Sequence, residues 1–252
     1  PRLQLVMTKF LRIFAIVNNM HAGLFNQARG NITGGQQGAL PTTETVESIV
    51  AFEMALSFAQ IGVFGAWRLD ACGARGGPVH LSQQTLVDGR FNLYDAWSAE
   101  DPCGDGRSSE VRKSIARGQE LFNTKPSATG RTCRGCHNAE NNGSNVEGRL
   151  FDIGASGAAW RTPDMPLYTV HNTTTLETIQ TSDPGRAIRS GKWADMNRFK
   201  VPSLRGLRAR APYFHNGIAK TLPDVVRFYE VSLGWDFSTA EEADMVAFMG
   251  AL

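Results

Sequence analysis

Cys133 and Cys136 stand three positions apart, and His137 follows directly. Two thiols at that spacing can each form a thioether to a vinyl group of a haem, and the adjacent imidazole can then bind the iron from one side. Cys-x-x-Cys-His is the recognised pattern of c-type haem attachment. Two other chemistries use paired cysteines. A structural zinc site takes four ligands, and only Cys72, Cys103 and scattered histidines remain to complete one. A redox dithiol of the thioredoxin kind sits in a βαβ context, which the flanking pattern lacks. Covalent haem c, with His137 as one axial ligand, is the chemistry these residues support.

Haem iron has a second axial position, and its occupant sets much of the behaviour. Met raises the potential, Tyr favours ferric iron, and an open position admits oxygen or peroxide. The downstream candidates are Met165, His171, Met196, His215, Tyr229, Met245 and Met249. Spacing by itself favours Met196, which lies at a distance from His137 that suits a small cytochrome c.

Helices must position these groups. Ser109 can cap a helix with Val111, Ile115, Gly118 and Phe122 on one face. Thr221 and Asp224 form a capping box that opens a helix running through Tyr229. Thr239 and Glu242 form another, leading into a last helix with Met245, Phe248, Met249 and Leu252 on one stripe. Gly118, Leu121 and Phe122 before the motif and Phe248 after it predict a crossing of the first and last helices, as in a cytochrome c. Residues 138–190 are rich in Gly, Asn, Thr, Asp and Pro and read as irregular. No strand pattern stands out. Upstream, residues 5–20 and 44–60 read as helices, the second with Glu44 and Glu47 in its first turn. The short apolar run Phe10–Val17, broken by Arg12, reads as an amphipathic helix, not a signal remnant. From Gly62 to Gly106 neither period persists. Within it, Cys72 and Cys103 lie on either side of a Gly-rich, loop-like part, as either a disulfide or two separate thiols.

The 252 residues are 42% hydrophobic and 20% charged, with a formal net charge of +2. That is the profile of a globular protein. No basic run supports nucleic-acid binding, and no stretch reaches the ~18–20 apolar residues of a membrane span.

Lys200-Val-Pro-Ser-Leu-Arg205-Gly-Leu, Ala211-Pro-Tyr-Phe-His215-Asn-Gly217, Thr221-Leu222 and Val225-Val226-Arg-Phe-Tyr229 resemble the di-haem cytochrome c peroxidase/MauG family. Ala116 to Phe122 resembles that family's entry to its second haem domain, Thr181 to Ala187 a stretch of its MauG-like branch, and Ile49 to Glu53 the closing helix of its first haem domain. The resemblance implies that His137 is the proximal ligand of the C-terminal, electron-transferring haem. It implies that His215 is a non-ligand histidine beside that haem, near a propionate. Tyr229 follows His215 by 14 positions, where the peroxidases have Met and MauG-like proteins have Tyr. Tyr229 is therefore favoured over Met196 as the sixth ligand. Arg205 offers a fork of donors suited to a propionate.

The expected fold class is mostly α. A cytochrome c-like haem domain with long irregular loops spans 109–252, and an irregular connecting region spans 62–108. Residues 1–61 read as a helical remnant of a second cytochrome c-like domain. The chain departs from the family in having one Cys-x-x-Cys-His motif where the family has two. With the missing initiator Met, this reads as a fragment, so a second haem is expected in a full-length protein. Residues of the peroxide site cannot be assigned on this chain. His21 reads as an ordinary histidine or a leftover of the lost haem's surroundings. The family also implies a bound calcium and a tryptophan between the haems, for which Trp67, Trp97, Trp160 and Trp193 are candidates. The implied partners are an electron-donor protein, either a small cytochrome or a cupredoxin, and hydrogen peroxide or a protein substrate. Covalent haem implies the periplasm. The alternatives are a mono-haem electron carrier without catalysis, and oxygen chemistry at an open His137 haem.

Overall fold

The computed structural model describes residues 20–55, 59–82, 87–104 and 109–252. They fall into two compact units, divided between residues 58 and 59. The helix expected over 5–20 lies outside the described residues, save its last position.

In the first unit, α1 (Met20–Gly30) runs into a π-turn and α2 (Thr43–Ala55) returns. Leu24, Ala28, Val46 and Val50 are buried between them. His21 Nε2 meets Glu47 Oε2 at 2.7 Å across the two helices, with both side chains about half exposed. His21 is thus a surface partner of α2. Helix α2 is shorter than expected, since residues 59 and 60 are not helical.

The second unit begins with a small hairpin, β1 (Gly62–Val63) on β2 (Trp67–Arg68), and a short helix, α3 (Gly77–Ser82). Its backbone is irregular up to residue 104, yet Phe91, Leu93, Tyr94 and Trp97 are wholly buried in the main core. Cys72 and Cys103 are joined as a disulfide that closes this stretch. Helix α4 (Glu110–Thr124) follows, capped by Ser109, whose side chain accepts from Arg112 N. A single turn, α5 (Cys133–Cys136), carries the cysteines. Then come β3 (Leu150–Phe151), β4 (Tyr168–His171), β5 (Thr178–Thr181), the turn α6 (Ala187–Ser190) and β6 (Phe199–Lys200). Strand β3 pairs with β6, and β4 with β5, both antiparallel. These pairs correct the strand-free reading of the sequence. Two-residue strands are too short to show alternation, and β4 is almost wholly exposed, so no face of it needs apolar residues.

Helix α7 (Leu222–Leu233) opens with the Thr221/Asp224 box. Helix α8 (Thr239–Met249) is capped one residue earlier than expected, by Ser238 with Glu241. Two overlapping boxes were available. Lys125 Nζ lies 2.7 Å from both oxygens of Glu241 and favours the earlier one.

Helices α4 and α8 cross at Gly118. A Cβ there would lie 1.9 Å from the Asp244 carbonyl oxygen and 2.7 Å from Phe248 Cβ. Only glycine lets the backbones come this close. Beside the crossing, Phe248 meets Phe91 and Phe122 edge-on, each at 5.5 Å. Asp244 accepts from Arg117 Nε at 2.7 Å and Ser114 Oγ at 2.6 Å, so a polar clamp flanks the apolar contact. Gly118→Ala forces the helices apart and is expected to cost about 2–3 kcal/mol, a fall of roughly 4–12 °C in melting temperature. Thermal denaturation by circular dichroism checks this, and an unchanged melt would contradict the crossing.

Candidate functional site

The site starts from one turn of helix. Thr132 Oγ1 accepts from Gly135 N, and His137 N donates to Cys133 O at 3.0 Å. The turn sets Cys133 and Cys136 at i, i+3, on one helical face. Both thiols are free. Burial pushes the Cys133 thiol up to about 12 and raises that of Cys136, so both are protonated at neutral pH.

His137 is fixed from behind. Its Nδ1 hydrogen-bonds the Gly143 carbonyl. A carbonyl only accepts, so Nδ1 carries the proton and Nε2 keeps a free lone pair. Burial pushes the imidazole down to about 4, which keeps it neutral. The Phe122 ring lies 5.9 Å away. Gly143 itself has a φ of +73°, and a Cβ would meet Leu204 side-chain atoms at 2.6 Å. Leu204 N donates to Asn142 O at 2.8 Å, which ties the Lys200–Leu207 segment to the loop behind His137. Asn145 Nδ2 donates to Cys136 O at 3.1 Å and secures the far end of that loop.

Tyr229 sits on α7 next to this turn. Burial raises its phenol pKa, and the nearby Cys133 and Cys136 raise it further. Trp235 packs edge-on against its ring at 5.9 Å, and Phe214 lies 6.0 Å away. The structure therefore brings Tyr229 to the cysteines. Met196 instead ends the turn at Trp193–Asp195, beside Asn197, whose Oδ1 accepts from Thr181. Met245 and Met249 are buried core residues on α8, and His171 lies on the exposed β4, bonded to Thr178.

Arg205 follows Leu204. Its Nε is buried without a hydrogen-bond partner among the described residues, and burial lowers its pKa. A guanidinium stays protonated even so. A cation with a buried N–H that lacks a partner suits an anionic group from outside the chain. His215 stacks on Phe199 with ring centroids 3.8 Å apart, and its Nε2 lies 3.3 Å from Ser156 Oγ and 3.6 Å from Asp183 Oδ2. Asn216, the next residue, has a buried Oδ1 with no hydrogen-bond partner among the described residues. Of the tryptophans, Trp67 is exposed, while Trp97 and Trp160 donate to Ala71 O and Ser232 Oγ.

These residues fit a covalent haem. The thiols are unpaired, the imidazole presents Nε2, and the buried Arg205 Nε has no partner among the described residues. Among the described residues no group of three or more His, Cys, Asp or Glu is placed to hold a metal ion, and Cys72 and Cys103 are bonded to each other. That leaves the zinc alternative without a ligand set. Gly143, Asn142 and Trp235 escaped the sequence reading. The Asn-Asn-Gly-Ser-Asn run from 141 to 145 was the available signal, since that composition builds tight turns.

Burial lowers the pKa of His215 and outweighs the opposing Asp183. Its neutral form is favoured in the fold, so its contribution to stability is present above the unfolded value of about 6.5 and lost as pH falls. Wild type is expected to lose melting temperature on acidification from pH 7 to 5 more steeply than His215→Gln. Parallel pH profiles would refute this.

No family model matches the chain. Individual proteins do. The chain is 30% identical to cytochrome-c peroxidase IdrP2 of Pseudomonas sp. (strain SCT) over 166 residues, 59% of this chain and 42% of that protein. It is 40% identical to cytochrome c551 peroxidase of Nitrosomonas europaea over 76 residues, 29% of this chain and 23% of that protein. It is 26% identical to methylamine utilization protein MauG of Methylophilus methylotrophus over 183 residues, 68% of this chain and 44% of that protein. The chain spans less than half the length of these relatives. Peroxidases and MauG alike match this chain, which is thus similar to proteins of the di-haem cytochrome c peroxidase/MauG family.

Proposed function

We propose that this chain holds the electron-transferring haem of a di-haem peroxidase or MauG-type oxidoreductase, in the periplasm. The observation that carries the proposal is the Cys133–Cys136 turn with His137 Nδ1 pinned to Gly143 O, which leaves Nε2 for iron. Bound haem c supplies one-electron chemistry that the side chains lack. The protein's part is ligation, charge balance and exclusion of water. Cys133 and Cys136 tether the macrocycle. His137 Nε2 and the Tyr229 phenol would be the protein's ligands to the iron. Arg205 neutralises a propionate, and His215 lies near one. In this reading residues 109–252 are a cytochrome c-like domain, which the Gly118 crossing supports. A second haem, where peroxide is reduced or a protein substrate is oxidised, and a calcium ion complete the enzyme as the family implies. Electrons come from a small cytochrome or a cupredoxin. No described helix is long and apolar enough to cross a membrane.

The proximity of Tyr229 to the cysteines favours it over Met196. Tyr229→Phe is expected to convert a low-spin ferric spectrum to high spin and to raise the midpoint potential by on the order of 0.1 V, part of the ~0.8 V that axial ligation spans. An unchanged ferric spectrum would remove Tyr229 as ligand. Carbon monoxide binding to ferrous wild type as readily as to the variant would favour an open sixth site. The mono-haem carrier is separated by the full gene product: two haems and peroxide consumption support the enzyme, and one haem without peroxide consumption supports the carrier.

A further inference from the structure

The loop that fixes His137 is itself held by a segment on the far side of the sequence. Residues 87–95 run along residues 138–141. Gly89 N donates to Asn138 O at 3.0 Å, Glu140 N donates to Val87 O at 2.9 Å, and Asp88 bridges Ala139. Arg134, inside the cysteine turn, reaches Gly89 O at 3.0 Å. At the centre two asparagines exchange hydrogen bonds. Asn141 Oδ1 accepts from Asn92 N at 3.0 Å, and Asn141 Nδ2 donates to Asn92 Oδ1 at 2.9 Å. Asn92 Nδ2 also donates to Glu140 Oε1. Asn141 is 1% exposed and has a φ of +52°, so its backbone depends on these partners.

The chain then turns directly into the axial loop. Gly143 N donates to Ala139 O and Ala139 N to Ser144 O, both at 2.8 Å, and the Gly143 carbonyl points at His137 Nδ1. The supporting segment is anchored elsewhere. Phe91 N and O pair with the Asn123 carboxamide on α4 at 3.0 and 2.9 Å, and Tyr94 N donates to Gln119 Oε1 at 3.0 Å. The Cys72–Cys103 disulfide closes it, with Arg112 Nη1 2.7 Å from Cys103 Sγ and the guanidinium 5.5 Å over Trp97.

We propose that Asn92 is a positioning residue for the axial histidine: through Asn141 it holds the Gly143 carbonyl against His137 Nδ1 and so tunes the iron bound at Nε2. The proposal rests on the haem reading above. An imidazole that donates strongly from Nδ1 is a better ligand for ferric iron. Loosening the carbonyl weakens that donation and favours the ferrous state.

The test uses the haem-loaded protein and two variants, with midpoint potential and melting temperature measured on each. Asn92→Ala is expected to shift the ferric/ferrous equilibrium roughly tenfold towards ferrous, about 59 mV upward for a one-electron couple. Asn123→Ala removes a buried anchor of the same segment whose hydrogen bonds go to the Phe91 backbone, so it is expected to lower the melting temperature and leave the potential in place. If Asn92→Ala does not fold, Asn92→Ser gives the same upward shift. A folded Asn92 variant at the wild-type potential overturns the proposal. So does an equal shift in Asn123→Ala, which would mean that general loosening moves the iron. A wild-type protein that takes up no haem defeats the haem reading first, and this proposal with it.

Discussion

One hydrogen bond governs the site: His137 Nδ1 to the carbonyl of Gly143. It decides which nitrogen carries the proton, and therefore which nitrogen can bind a metal. It forms only because residue 143 takes a left-handed backbone with Leu204 pressed where a side chain would be. Leu204 in turn brings Arg205, whose Nε is buried without a hydrogen-bond partner among the described residues. The segment that resembles the peroxidase family is thus the outer wall of the loop behind the histidine. Its proximity in space explains why Lys200–Leu207 and Cys133–His137 act as one unit despite the long separation in sequence.

Two crossing helices supply the frame. Helices α4 and α8 touch through Gly118, and their aromatic rings line the side from which Phe122 approaches His137. The buried face of α4 is partly polar. Gln119 and Asn123 are buried because they bond the backbone of Tyr94 and Phe91 in the disulfide-closed segment. The irregular stretch is therefore part of the core. Its backbone groups are satisfied by side chains of the helix where a sheet would have used other strands.

How much of this was legible depended on range. The haem motif, the Ser109 cap and the Thr221/Asp224 box are local patterns, and all were visible. The Ser238/Glu241 cap was misplaced by one residue because the ion that selects it, Lys125, is 116 positions away. The pairing of Cys72 with Cys103 stayed open for the same reason, since spacing alone cannot place two sulfurs together. The strands were missed because the two-residue pairs carry no period and β4 is almost wholly exposed. Tyr229 was singled out through family resemblance, while Trp235 beside it gave no signal outside three dimensions. Residues 62–108 read as mere connection because the aromatic residues Phe91, Tyr94 and Trp97 follow neither a helical nor a strand period.

The central claim is that Cys133 and Cys136 are thioether-bonded to haem. Intact-mass measurement of the matured protein, unfolded and washed with acidic acetone, tests it most directly. The account predicts the mass of the chain plus one haem, with neither cysteine open to alkylation. The bare mass of the chain, with both thiols alkylated, would contradict it.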